Sequence, residues 1–238
     1  MTTLSENLAT IQQQITAAQT RFQAAQTVTL CAVSKTQSAE VIRAAYAAGQ
    51  TVFGENYVQE ALQKQADLED CAIAWHFIGP IQSNKTQPIA RHFDWVHSVD
   101  RLKIAQRLSD ARPPERGPLN ICLQVNISEE QSKSGASGDE LLELALNIKQ
   151  LPNLQLRGLM AIPAPCHTFE EQRDQFRQVR ALFDHLNAQG LQLDTLSIGM
   201  SNDFAAAIAE GATLVRIGTA IFGARVRVTP SDSATKGP

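Results

Sequence analysis

The sequence predicts a single closed (β/α)8 barrel, the TIM-barrel arrangement, with one extra helix at its N-terminus. Three observations carry this. Strand-like and helix-like segments alternate along nearly the whole chain, and the strand-like ones number eight, as a closed parallel barrel requires. The final two strands both run into small-residue turns and then helix starts. No Gly-, Pro- or Ser-rich linker divides the 238 residues, a length slightly below the ~250 typical of such barrels.

Each element follows in order. Over 3–25, Leu4, Leu8, Ile11, Ile15, Ala18 and Phe22 form one stripe at helical spacing, the mark of an amphipathic helix that can fill a gap in the outer ring. The apolar run Val28-Thr29-Leu30-Cys31-Ala32-Val33-Ser34 reads as a parallel strand buried on both faces. A helix over 39–49 opens near Ser38. Strands then fit at 51–54, 75–79, 95–99, 120–127, 155–161, 195–199 and 213–217. Helices between them fit at 57–69, 84–91, 101–110, 138–149, 169–189 and 202–210. The Pro-rich stretch from Arg112 to Pro118 is a loop and not a domain boundary. The eighth helix is short, because the chain turns polar after Arg227. The barrel domain is therefore 1–227, and 228–238 is a polar tail expected to be disordered. A doubly wound open sheet would need a GxGxxG turn after its first strand, which is absent.

Composition narrows the function. The net charge is −3, aromatics make up 5 %, and no basic stripe exists, so a nucleic-acid face is not expected. No apolar run reaches membrane-spanning length, and the N-terminus has no apolar signal core, so the protein is expected in the cytoplasm with no membrane partner. Cys31, Cys71, Cys122 and Cys166 have no CxxC spacing and read as reduced thiols. His92, His97, His167 and His185 lack metal spacing, so no metal site is predicted. Walker A, HExxH and GxSxG patterns are missing.

Lys35 is the residue that points to chemistry. It ends the first strand, where its side chain can face a cleft, and desolvation or a nearby cation there keeps an amine nucleophilic. At the far end of the chain, Ser201 follows one strand at a helix N-cap position, and Gly218-Thr219 repeat the arrangement one strand later. Backbone N–H groups and helix dipoles at such paired turns favour a phosphate. Barrel closure would bring the first and last strands together, so an aldehyde carrying a phosphate could bridge Lys35 and these turns. Pyridoxal phosphate (PLP) fits that geometry. Arg216 lies inside the last strand and needs a partner there. Asn56 and Tyr57 follow the second strand at the same face. His76 on the third strand is a further cofactor contact to test, and Lys85 a further anion-attracting group. Glu55 reads as a core partner for a cation, and Asp203 as a helix N-terminal charge.

The stretches AVSKT (32–36), FGENYVQE (53–60), HFIGPIQSNK (76–85), QVNIS (124–128), RGLMAI (157–162), SIGMSNDF (197–204) and VRIGTAIFG (215–223) resemble the pyridoxal phosphate homeostasis proteins. That family is a single-domain relative of the N-terminal barrel of alanine racemase, and the resemblance runs from about Leu4 to Arg225. Gln37-Ser38 stand where the family has a Lys-Pro-like pair, and Ile198 replaces a more usual Met. The resemblance implies PLP held as a Schiff base on Lys35, with Ser201, Gly218 and Thr219 on its phosphate. It also implies Arg216 on the pyridine nitrogen; Asn56, by its place after the second strand, is expected to touch the cofactor ring or its 3-oxygen. Arginine stays protonated, so the ring nitrogen would stay unprotonated and the ring a poor electron sink. The implied role is intracellular PLP buffering and delivery to PLP-dependent apoenzymes by a monomer, without strong catalysis and with no catalytic residues assigned. A racemase-like enzyme is the alternative. It would need an acid/base group on the cofactor face opposite Lys35, and both tyrosines, Tyr46 and Tyr57, belong to the first two barrel units. A Schiff-base aldolase acting through Lys35 is a third reading.

Overall fold

A computed structural model describes residues 2–127, 135–136 and 138–223. The expected tail, 228–238, lies outside the described residues. The chain builds a closed parallel barrel in the order β1 to β8, and β1 (Thr29–Val33) pairs with β8 (Leu214–Ile217) to seal it, Cys31 opposite Arg216. The remaining strands are β2 (Val52–Glu55), β3 (Ala74–Phe77), β4 (Trp95–Val99), β5 (Leu119–Val125), β6 (Leu154–Ala161) and β7 (Thr195–Ser197). Every expected strand is present, displaced by no more than two residues at either end.

The helices are α1 (Leu4–Arg21), α2 (Ala39–Ala47), α3 (Val58–Asp67), α4 (Thr86–His92), α5 (Leu102–Ala111), α6 (Gly138–Lys149), α7 (Phe169–Ala188), α8 (Phe204–Ala209) and α9 (Thr219–Phe222). Helix α1 starts with a capping box: the Thr3 hydroxyl accepts from the Glu6 N–H and the Glu6 carboxylate accepts from the Thr3 N–H. It is shorter than the apolar stripe suggests. Phe22 is the C-cap and Gln23 turns the chain with φ +53°. Leu8, Ile11, Ile15 and Ala18 are buried, and α1 packs on α2, α8 and α9, closing the outer ring beside the four-residue α9.

Two further ends differ from the sequence reading. A 3-10 turn, Ser83–Lys85, precedes α4. Helix α8 begins at Phe204 with Asp203 as its N-cap, so Ser201 is not the cap. The reason is local: the Asp203 carboxylate accepts from the Met200 N–H at 2.5 Å, and this closes a turn across Ser201 and Asn202 before the helix can start.

Side chains alternate along each strand, which stacks the interior in layers. Thr29, Trp95, Thr195 and Leu214 face the N-terminal mouth. Two residues further along each strand come Cys31, His97, Ser197 and Arg216, all buried. Gly54 and Gly158 permit the close approach: a Cβ on Gly54 would lie 2.8 Å from the Cys31 sulfur, and one on Gly158 only 1.7 Å from the Thr195 carbonyl. The barrel's parallel sense places the residues after β1, β2, β7 and β8 on one rim. Among the described residues, no helix is long and apolar enough to cross a membrane.

Candidate functional site

Lys35, Ser201, Arg216, Gly218 and Thr219 line one cavity of about 380 Å³ at the carboxyl-terminal rim, together with Pro163, Pro165 and Cys166 of the β6–α7 connection. Barrel closure brings the ends of the sequence together here, as the order of motifs requires. Gly218 is the N-cap of α9 and its carbonyl accepts from the Ile221 and Phe222 N–H groups, so within that helix the Thr219 and Ala220 N–H groups are left without an acceptor. Gly218 also sits close over β1: a Cβ there would lie 3.1 Å from the Val33 carbonyl.

Arg216 is 4 % exposed. Its guanidinium donates to the Ser197 carbonyl, to the Ser197 hydroxyl at 2.7 Å and to the Ala161 carbonyl at 2.9 Å. Three of five donors are thus committed. Among the described residues no carboxylate forms an ion pair with it, and burial lowers its pKa. The Asp203 carboxyl, another lining residue, acts on it electrostatically, and burial raises the pKa of that group.

Behind Arg216 runs a buried chain of hydrogen bonds. Ser197 Oγ lies 2.8 Å from His97 Nδ1, and His97 Nε2 lies 2.9 Å from His76 Nδ1. Burial pulls His76 down to about 3 and His97 well below the usual histidine range, so both rings are neutral. An arginine can only donate, so the Ser197 hydroxyl accepts from Arg216. With its own proton directed at His97 Nδ1, the chain runs one way, His97 donating from Nε2 to His76 Nδ1, and both imidazoles then carry their proton on Nε2.

His76 stands apart from the other expected contacts: it is not among the cavity's lining residues but lines the opposite mouth of the barrel, where Trp95 stacks on it at 5.3 Å. Its position on β3 sets its height in the barrel, and that height is too low for the rim. Asn56 and Tyr57 are on the rim, yet they line an adjoining cleft of about 270 Å³ with Lys85. Tyr57 is 55 % exposed. Asn56 Oδ1 is buried without a hydrogen-bond partner among the described residues.

Lys64 is the residue that sequence reasoning missed. It is 4 % exposed and donates to the Ser34 carbonyl at 2.9 Å and to Glu55 at 2.8 Å. Glu55 is therefore the cation partner its position suggested; burial raises its pKa while Lys64 works against that rise. A signal was present: Val58, Ala61 and Lys64 share the buried face of α3. Next to Lys35, Thr36 has φ +67°. A β-branched residue in that region is strained by about 1–3 kcal/mol.

The residues present suit a phosphorylated aldehyde. The cavity offers an amine, a buried guanidinium, hydroxyls and helix-start N–H groups, and an orphaned amide oxygen lies in the adjoining cleft.

Comparison with known proteins agrees. The family described as alanine racemase, N-terminal domain, matches residues 7–226. The pyridoxal phosphate homeostasis protein of Pseudomonas aeruginosa is 60 % identical over 226 residues, covering 94 % of this chain and 97 % of that protein. The protein of the same name from Escherichia coli (strain K12) is 52 % identical over 229 residues, with 94 % and 98 % covered. PipY of Synechococcus elongatus, solved without PLP, superposes with a TM-score of 0.84 at 41 % identity over 93 % of this chain and 100 % of that one. Its structure with PLP bound gives 0.82 at 40 % identity, with the same coverage. By sequence, length and fold, the chain belongs to the pyridoxal phosphate homeostasis protein family, within the alanine racemase N-terminal-domain barrels.

Proposed function

We propose that this protein binds PLP at the rim cavity, holds it as a Schiff base on Lys35, and buffers and delivers it to apoenzymes inside the cell. The observation that carries this reading is the pairing in one cavity of the Lys35 amine with a buried guanidinium whose acceptors among the described residues are all neutral. The name of its relatives and the PLP-bound PipY structure support the choice of ligand.

Lys35 would supply the amine nucleophile for the cofactor's aldehyde. Ser201 and Thr219 supply hydroxyls, and the start of α9 supplies N–H groups, for the phosphate. Asn56 and Tyr57 border the site from the adjoining cleft. Arg216 is pinned by Ser197 and Ala161, so a donor directed at the ring nitrogen would keep that nitrogen unprotonated. The bound cofactor supplies an electron sink when protonated at that atom, and this arginine works against it.

A racemase would also need a proton donor on the face opposite Lys35. Among the described residues neither a tyrosine nor a histidine lines the cavity. Tyr46 is spent on the Ala72 N–H at 3.2 Å. Loaded protein incubated with L-alanine in deuterated water is expected to exchange the α-hydrogen far more slowly than about one turnover per second, while still restoring activity to an added apoenzyme. Exchange at the usual enzymic rates of about 1–10³ per second would establish the racemase reading instead.

A further inference from the structure

We propose that Lys64, together with Glu55 and Glu60, is a positioning residue for Lys35, fixing the backbone on both sides of the amine-bearing residue. This deepens the proposed function and rests on Lys35 being the cofactor lysine.

An ammonium has three donors, and Lys64 commits all of them. Its Nζ donates to the Ser34 carbonyl, to Glu55 Oε1 and to Glu60 Oε1. Glu55 Oε1 also accepts from the Ser34 hydroxyl at 2.6 Å, and Glu60 Oε1 accepts from the Thr36 N–H at 2.6 Å. The Ser34 carbonyl belongs to the peptide unit before the Lys35 Cα, and the Thr36 N–H to the unit after it. Both units that define the Lys35 backbone dihedrals are therefore tied to one ammonium. Thr36, in turn, is held at φ +67°. A threonine does not rest there unless its surroundings hold it.

Stability alone does not account for such a cluster. Replacing a buried ion pair by neutral groups of similar shape is often neutral for stability. The geometry assigns it another task, aiming Lys35 over the cavity it lines.

Glu60→Ala is the first test, because Glu60 is partly exposed and its loss leaves the Lys64–Glu55 pair intact. Lys64→Met combined with Glu55→Gln is the second; it removes both buried charges together and keeps the side-chain volumes. Amide exchange at Thr36 reads the clamp without any cofactor. PLP titration, followed by borohydride reduction and peptide mapping, reads its effect on Lys35.

In both variants Thr36 exchange is expected to rise at least tenfold and PLP affinity to fall at least tenfold. Adding Thr36→Gly, which accepts positive φ without strain, is expected to recover most of the lost affinity. Affinity within twofold of wild type in the two clamp variants, or no recovery by glycine, would overturn the proposal. If the wild-type label maps to another lysine, the functional reading fails. Thr36 exchange then decides the clamp by itself: unchanged protection in Glu60→Ala overturns it.

Discussion

Arg216 shows how one side chain shapes this site. A guanidinium surrounded by a carbonyl pair and a hydroxyl keeps its charge, because those acceptors satisfy hydrogen bonds without neutralising it. Ser201 lines the same cavity and is proposed to hold the phosphate. A hydrogen bond to a charged acceptor contributes about 1.5–3 kcal/mol, so Ser201→Ala is expected to weaken PLP about ten- to a hundredfold and to leave pyridoxal nearly unaffected. Titration with both ligands checks this; equal losses would remove Ser201 from the phosphate site. The neutral histidines give a pH signature. His76 falls from 6.5 to about 3 on folding, so the unfolded chain binds a proton that the folded chain refuses. Stability is complete above pH 6.5 and is lost as the pH falls towards 3, at about 1.4 kcal/mol per pH unit for that group. His97 shifts in the same direction. Urea titrations at pH 4, 5, 6 and 7 should show this slope, and His76→Asn should reduce it by about 1.4 kcal/mol per unit. An unchanged slope would mean that His76 titrates normally in the fold.

At the level of elements, strands are more legible in the sequence than helix ends. Long apolar runs ending in polar turns leave few alternatives for a buried parallel strand, and β4 spans the expected residues 95–99 at both ends. Helix ends depend on capping bonds made by particular rotamers. Asp203 reaching back to Met200 delays α8, and nothing in the composition of SIGMSNDF distinguishes that from a cap at Ser201. The stripe on α1 was legible because its partners are apolar and its period regular. Its docking makes a quantitative prediction. Ile11 is 4 % exposed, so Ile11→Ala should cost about 2–5 kcal/mol in urea unfolding. Loss of the Thr3 cap should cost about 0.5–2 kcal/mol. A smaller loss for Ile11→Ala than for Thr3→Ala would mean that α1 contributes little to the closed ring.

Across the whole molecule, the sequence carried the order of the motifs, and the closed barrel turned that order into a place. Lys35 and Arg216 are far apart in the chain and line one cavity because β1 pairs with β8. Height along the barrel axis was less legible. His76 and Arg216 both point inward, yet only Arg216 lines the rim cavity, and alternation alone gives facing without depth. The Lys64 cluster was hidden for another reason: it needs the buried face of α3 to meet the turn after β1, a contact between two units that no local pattern encodes. The central claim is that the barrel presents one particular amine to PLP. Wild-type protein should be loaded with PLP, reduced with borohydride, digested and mapped, with Lys35→Ala treated in parallel. The account predicts a single pyridoxyl label on Lys35 and loss of the bound-cofactor absorbance in the variant. A label on Lys85 or any other lysine, with absorbance retained in Lys35→Ala, would contradict it.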